Sequence, residues 1–205
     1  MNIFGQVITT SAAAFLVLAM AAQAQDATTD SDTGTSGTAA NDLALGATDS
    51  AQPRVGETYI RETFSDWEHR CVLTETGNDP CQLYQLLRDS QGNSVAEMNI
   101  FQVPPGGPAA AGATVITPLE TLLIEQVRLS VDGGQAKIYP FRFCTEIGCI
   151  SRMGFTDEDI DTFRRGASAM IRIVPAAAPD QTVDLTMSLS GFTAGYEALI
   201  ALTAE

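Results

Sequence analysis

The chain has 205 residues, with 25 acidic side chains against 11 basic ones and a formal net charge of −14. Nucleic-acid binding and attachment to anionic lipid both rest on clustered Lys and Arg, and Lys137 is the only lysine, so the composition argues against both. It also holds a single histidine, His69, so any mechanism with a histidine base must use that residue.

The amino terminus carries an apolar run, Ala12 to Ala22, that ends in Ala22-Gln23-Ala24. Small residues at those two positions mark a leader-peptide cleavage site, although no Lys or Arg precedes the run. The run is short for a membrane span of about 20 residues, and no basic cluster follows it. Residues 1–24 are therefore expected to be a cleaved signal peptide that leaves no stable membrane insertion. Residues 25–54 are rich in Thr, Ser, Ala, Gly and Asp and lack aromatic side chains. Such a stretch buries too little apolar surface to offset its ordering entropy and reads as a flexible acidic linker. Residues 55–205 are long enough for one domain with its own core.

Within that domain the elements are mostly short strands. Trp67 to Leu73 alternates partly, placing Trp67 and His69 on one face and Asp66, Glu68 and Arg70 on the other. Asp66 and Glu68 form a carboxylate pair beside His69, the constellation a hydrolase needs, but a solvated sheet face bearing Arg70 explains them more simply. Cys81 to Leu87 and Val95 to Val103 follow as strands. The next stretch, Val103-Pro104-Pro105-Gly106-Gly107-Pro108 through Thr117-Pro118-Leu119, is apolar and punctuated. It reads as a long loop, either exposed and binding or packed over a sheet end. Val103, Pro104, Pro105, Pro108, Pro118 and Leu119 are the candidate binding residues. Leu122 to Val131 suggests one or two strands, stopped by the turn signal Asp132-Gly133-Gly134. Lys137 to Phe143, Ile150 to Met153, Ala169 to Val174 and Thr182 to Leu189 complete the strands.

One helix is clearly signalled. Thr156 with Asp159 matches a capping box, Asp157 to Asp159 suits the first turn, Arg164-Arg165 the last, and Gly166 the C′ position. Asp157, Asp159 and Asp161 also have the one-three-five spacing of a calcium loop, but Thr162 and Ser168 stand where that loop needs Gly and Glu. A second short helix is expected around Tyr196 to Leu202.

The four cysteines are Cys71, Cys81, Cys144 and Cys149. In an exported chain disulfides form and persist, and four cysteines allow three pairings. Local pairing, Cys71 with Cys81 and Cys144 with Cys149, needs only that each short loop fold back. Zinc sites favour tighter pairs, and redox sites favour C-x-x-C at a helix start, whereas Cys144 follows an aromatic, extended run. Structural disulfides are the expectation, with no metal and no cofactor.

The ordered set of motifs resembles the invasion-associated locus B (IalB) family of exported bacterial proteins. It comprises Phe64-Ser65-Asp66-Trp67 before Cys71, then Cys81-Gln82-Leu83, and Pro118-Leu119 leading to Val127 through Gly134. Tyr139 through Cys144 with Gly148-Cys149 and Ser188 through Thr193 complete it. The resemblance implies a periplasmic or secreted, mainly β domain, and it brings no catalytic residues. The resulting expectation is a disulfide-stapled, β-sandwich-like domain with one or two short helices, in which Trp67, Cys144–Cys149 and Gly191-Phe192 are scaffold. Its expected role is that of a non-enzymatic protein that meets a protein partner in the envelope or outside the cell. Two alternatives stand beside it: a periplasmic binder of small ligands in an apolar cleft between sheets, and a hydrolase using Asp66, Glu68 and His69.

Overall fold

The computed structural model describes residues 52–202. The expected leader and nearly all of the expected linker lie outside the described residues.

Eleven strands and two helices follow one another: β1 Thr58–Phe64, β2 Trp67–Val72, β3 Cys81–Arg88, β4 Ser94–Gln102, β5 Ala111–Thr117, β6 Val127–Val131, β7 Lys137–Tyr139, β8 Phe141–Thr145, β9 Gly148–Phe155, α1 Asp157–Arg165, β10 Ser168–Ile173, β11 Val183–Ser188 and α2 Phe192–Ala201. All pairings are antiparallel and join the strands into one sheet, in the order β7-β6-β10-β11-β3-β4-β5-β9-β8, with β2 on β3 and β1 on β2. The path begins at β7 and ends at β8, and these two are joined in the chain through Pro140 alone. The sheet is therefore curled until it nearly closes. The mainly β, disulfide-stapled class with two short helices is as expected, and the facing layers are parts of this one sheet.

Pro140 explains why Lys137 to Phe143 is two strands and not one. Proline has no N–H to give a ladder. The chain turns there, so β7 pairs with β6 and β8 with β9. The Pro140 carbonyl accepts instead from Ser151 Oγ. One further expectation is narrowed and two are corrected. Leu122 to Val131 holds one strand, preceded by a 3-10 turn over Leu123–Glu125. The stretch 103–118 is not one long loop, because Ala111–Thr117 forms β5, with its inward residues buried between β4 and β9. Gly166 ends α1 in an extended conformation, not a left-handed one. Glycine is needed there for space, since a Cβ would stand 2.7 Å from both Leu189 Cδ1 and Val131 Cγ1.

The third strand is shared along one edge. Residues 81–84 pair with β2, and Arg88 pairs with Thr186 of β11. Between them the ladder is open, and the Gln85 side chain fills it. Its Nε2 donates to the Ser188 carbonyl at 3.0 Å, and its Oε1 accepts from the Ser188 N–H at 2.7 Å, so an amide side chain takes the place of a strand. Trp67 Nε1 donates to the same carbonyl at 2.9 Å.

The interior is continuous and aromatic. Tyr139, Phe155, Phe163, Phe192 and Trp67 meet edge to face in sequence, and Tyr196 stacks on Phe192. Leu83, Met98, Ile171, Leu185 and Met187 fill the space around them. The first helix contributes Ile160 and Phe163, three residues apart on one face. The expected capping box is present: Thr156 Oγ1 accepts from Asp159 N–H while Asp159 accepts from Thr156 N–H. The second helix starts four residues before its expected position and lies against β1, β2 and β3.

The expected disulfides are both formed, and each joins residues that lie directly opposite in a hairpin, Cys71–Cys81 between β2 and β3 and Cys144–Cys149 between β8 and β9. Replacing Cys144 and Cys149 together by alanine is expected to lower stability by about 2 kcal/mol on the chain-entropy account. Urea unfolding of the variant and the parent measures it, and an unchanged midpoint would show that the staple is idle.

Candidate functional site

The outer face of the sheet carries a cleft where β2 and β11 flank β3. It encloses about 490 Å³ and is lined by Asp66, Glu68, Arg70, Tyr84, Arg88 and Ser188, among others. Each charged group is already engaged. Glu68 accepts from Arg70 Nε at 2.9 Å, and the Arg70 guanidinium lies 3.2 Å from the centre of the Tyr84 ring. Asp66 Oδ2 accepts from Ser188 Oγ at 2.6 Å, and Arg88 donates to the Gly92 carbonyl and to Ser94 Oγ. Burial pushes the Tyr84 hydroxyl above its ordinary pKa, with Glu97 adding to the effect.

His69 does not belong to this cleft. Strand alternation turns it to the opposite face beside Trp67, where it is 1% exposed and its Nε2 meets the Gly195 carbonyl of α2 at 2.8 Å. Phe64 stands edge-on to its ring. The carboxylates and the imidazole are thus separated by the sheet, which removes the geometry a hydrolase built on Asp66, Glu68 and His69 requires. The expected apolar cleft between layers is likewise corrected, because Trp67, Met98, Phe155 and Phe192 fill that space.

Burial holds the His69 imidazole below its ordinary pKa, against the opposing effects of the Gly195 carbonyl and Glu62. In the unfolded chain it takes a proton near pH 6.5, while in the folded protein it resists. The unfolded state therefore binds more protons below that pH, and stability falls as pH drops from about 6.5 toward the folded value. Chemical unfolding at pH 7.5 and 5.5 should show this loss in the parent and a smaller one in His69→Gln, whose amide can still donate to Gly195. Equal losses would show that His69 is not the group responsible.

Asp157, Asp159 and Asp161 serve the helix start. Asp159 closes the capping box and pairs with Lys137, and Asp161 pairs with Arg164. Among the described residues no group of three or more acidic, Cys or His side chains is placed to hold a metal ion.

The candidate binding residues fall at the two ends of β5. Val103, Pro104, Pro105 and Pro108 lie in the connection before it, and Pro118 and Leu119 lie after it, about 20 Å away along a seven-residue strand. They cannot form one site. The end that holds Pro118 gathers more. Thr117 pairs with Cys149, so the β8–β9 turn at Glu146-Ile147 stands beside Pro118, and Ile147 and Pro118 line the same hollow. The bridge from Thr121 to Pro175, with Ala176 N–H donating to the Glu120 carbonyl, brings in the β10–β11 connection. Apolar side chains protrude here: Leu119, Leu123, Ile124 at 79% exposure and Ile147 at 72%. Sequence reasoning missed the last three. Ile147 was visible as an apolar residue at the tip of a tight turn, and Leu123-Ile124 was masked by its likeness to a strand.

Among the described residues no helix is long and apolar enough to cross a membrane. The family model of the invasion associated locus B (IalB) protein matches residues 67–200. Two curated relatives, invasion protein B homologs of Brucella abortus strain 2308 and of Brucella abortus biovar 1 strain 9-941, are each 24% identical over 149 residues, covering 72% of this chain and 83% of theirs. The crystal structure of invasion associated protein b from Bartonella henselae superposes with a TM-score of 0.59 at 25% identity, covering 72% of this chain and 97% of that one. The matched span takes in both disulfides, α1, all but the last residue of α2 and every strand but β1, and on that ground the chain belongs to the invasion-associated locus B family.

Proposed function

We propose that the chain is an exported interaction protein, periplasmic or secreted, that works by contact with a protein partner and not by catalysis. The observation that carries this reading is the apolar end of the sheet around Leu119, Ile124 and Ile147. Side chains this large and this exposed, gathered from two connections, are what a contact surface presents before its partner covers it. The Cys144–Cys149 staple holds the turn that bears Ile147, which limits the ordering cost of binding. Two disulfides and a leader-like amino terminus support export. The relatives are named for invasion, and contact with a partner surface is a mechanism such a role would use. Within this reading Pro118 and Leu119 belong to the contact, and Val103, Pro104, Pro105 and Pro108 stand apart from it.

Cross-linking in intact cells followed by mass spectrometry tests the proposal. A reproducible envelope or extracellular partner linked through residues 118–126 or 145–148 supports it. Recovery of the protein alone would overturn it in favour of the second reading, a small-ligand binder. That reading is favoured by the 490 Å³ cleft, whose size suits a small molecule and whose lining carries both signs of charge.

A further inference from the structure

We infer that the apolar end of the sheet takes a protein surface with an apolar centre and a rim of Lys and Arg. The inference rests on the interaction reading above and adds the chemistry of the partner. The β3–β4 hairpin reaches the hollow at this end through Val95 and Ala96, and three further connections build the rest: residues 118–126 (PLETLLIEQ), 145–148 (TEIG) and 175–181 (PAAAPDQ). These three connections hold Glu120, Glu125, Glu146 and Asp180 and no Lys or Arg. The nearest cation in sequence, Arg128, lies 3.7 Å from Glu125 in the ion pair that closes the 3-10 turn.

The exposed apolar residues belong to the same connections as these carboxylates. Leu119 and Leu123 flank the turn fixed by Thr121, whose N–H and Oγ1 both donate to the Pro118 carbonyl. Ile147 rises from the adjoining hairpin, whose Gly148 packs so closely on β5 that a Cβ would stand 2.3 Å from the Thr117 carbonyl oxygen. The backbone is thus set by hydrogen bonds, a bridge and a disulfide before any partner arrives. Interfaces of this kind draw their affinity from the apolar centre and their selectivity from the charged rim. An acidic rim on a chain of net charge −14 repels anionic surfaces, including anionic bilayers, and attracts basic ones.

The test uses two synthetic amphipathic peptides with the same leucine face, one with lysine and one with glutamate on the polar face, and vesicles containing an anionic phospholipid. Fluorescence anisotropy on the purified chain should show the lysine peptide bound at least tenfold more tightly than the glutamate peptide. Ile124→Ser with Ile147→Ser should weaken that binding at least tenfold. Glu120→Lys with Glu146→Lys should reverse the preference, and Glu75→Gln in the exposed β2–β3 connection should change nothing. Circular dichroism confirms that each variant is folded. Lysine-peptide binding that ignores the Ile and Glu substitutions, failure of the lysine peptide to bind, or vesicles that outcompete it would each overturn the inference. A cross-linked partner held at another face would leave the interaction reading standing while this inference fails.

Discussion

Trp67→Ala is expected to lower stability by about 3–5 kcal/mol, the range for emptying a large aromatic site in a core. Trp67 is fully buried, stands edge-on to Phe192 at 5.7 Å, and lies where β2 and β11 meet along β3. Its indole N–H also closes the fork by donating to the Ser188 carbonyl. Trp67→Phe separates the two contributions. It keeps most of the apolar volume and loses the hydrogen bond, yet the Ser188 carbonyl still accepts from Gln85 Nε2 and is not orphaned. The expected loss for that variant is about 1–2 kcal/mol, from one hydrogen bond and a small void. Denaturant unfolding followed by far-ultraviolet circular dichroism measures both, since the chain has no other tryptophan to report once this one is gone. A loss below about 1 kcal/mol for Trp67→Ala would mean the fork is held without the indole.

Much of this arrangement was legible in the chain. Alternation around Trp67 and His69 told which side chains turn inward, because a strand has a period of two and a buried face selects one parity. The capping residues of α1 and the Asp132-Gly133-Gly134 turn declared themselves by local chemistry. Asp132 does more than turn the chain, since its carboxylate accepts from the Ala167 and Ser168 N–H groups and fastens the exit of α1 to β6. The sequence leaves three cysteine pairings open, and the local one, which asks only that each short loop fold back, is the one formed.

What stayed hidden depends on partners far away in sequence. The first strand, TYIRETF, is largely exposed and lacks a clean alternation, because it lies on β2 at one margin of the sheet and its pairing shifts register between Ile60 and Glu62. Residues 111–117 read as loop because the Pro- and Gly-rich stretch 103–108 and Pro118 bracket them, yet the small residues at their start are what this place needs. A Cβ on Gly112 would stand 2.4 Å from the Phe101 ring, which lies over the strand. Gln85 gave no signal of its role as a substitute strand, since its partner Ser188 is 103 residues away. The candidate site was half visible for the same reason. Pro118 and Leu119 could be singled out locally, but only the pairing of Thr117 with Cys149 and of Thr121 with Pro175 shows that Ile147 and Ile124 share their end of the molecule.

Gly191→Ala carries the second large effect, an expected loss of about 2–5 kcal/mol. Gly191 is the N-cap of α2 and has a φ of +84°, a left-handed conformation that costs a residue with a Cβ about 1–2 kcal/mol. Its surroundings add more, for a Cβ would lie 1.9 Å from the Phe64 carbonyl oxygen and 2.6 Å from its carbon. These are backbone atoms at the end of β1 and cannot swing aside as a side chain would. Relief requires moving α2 away from the β1–β2 hairpin, and that motion loosens Phe192, Tyr196 and the His69 contact to Gly195 together. Overpacking of this kind typically costs a further 1–3 kcal/mol or more. Gly92→Ala supplies the control. Gly92 has nearly the same φ, +86°, with nothing within 4 Å of the built Cβ, so it should lose only the conformational part. Unfolding midpoints in urea give both values. A Gly191→Ala loss well beyond that of Gly92→Ala identifies close approach of the hairpin as the reason for glycine; equal losses would reduce it to backbone conformation alone.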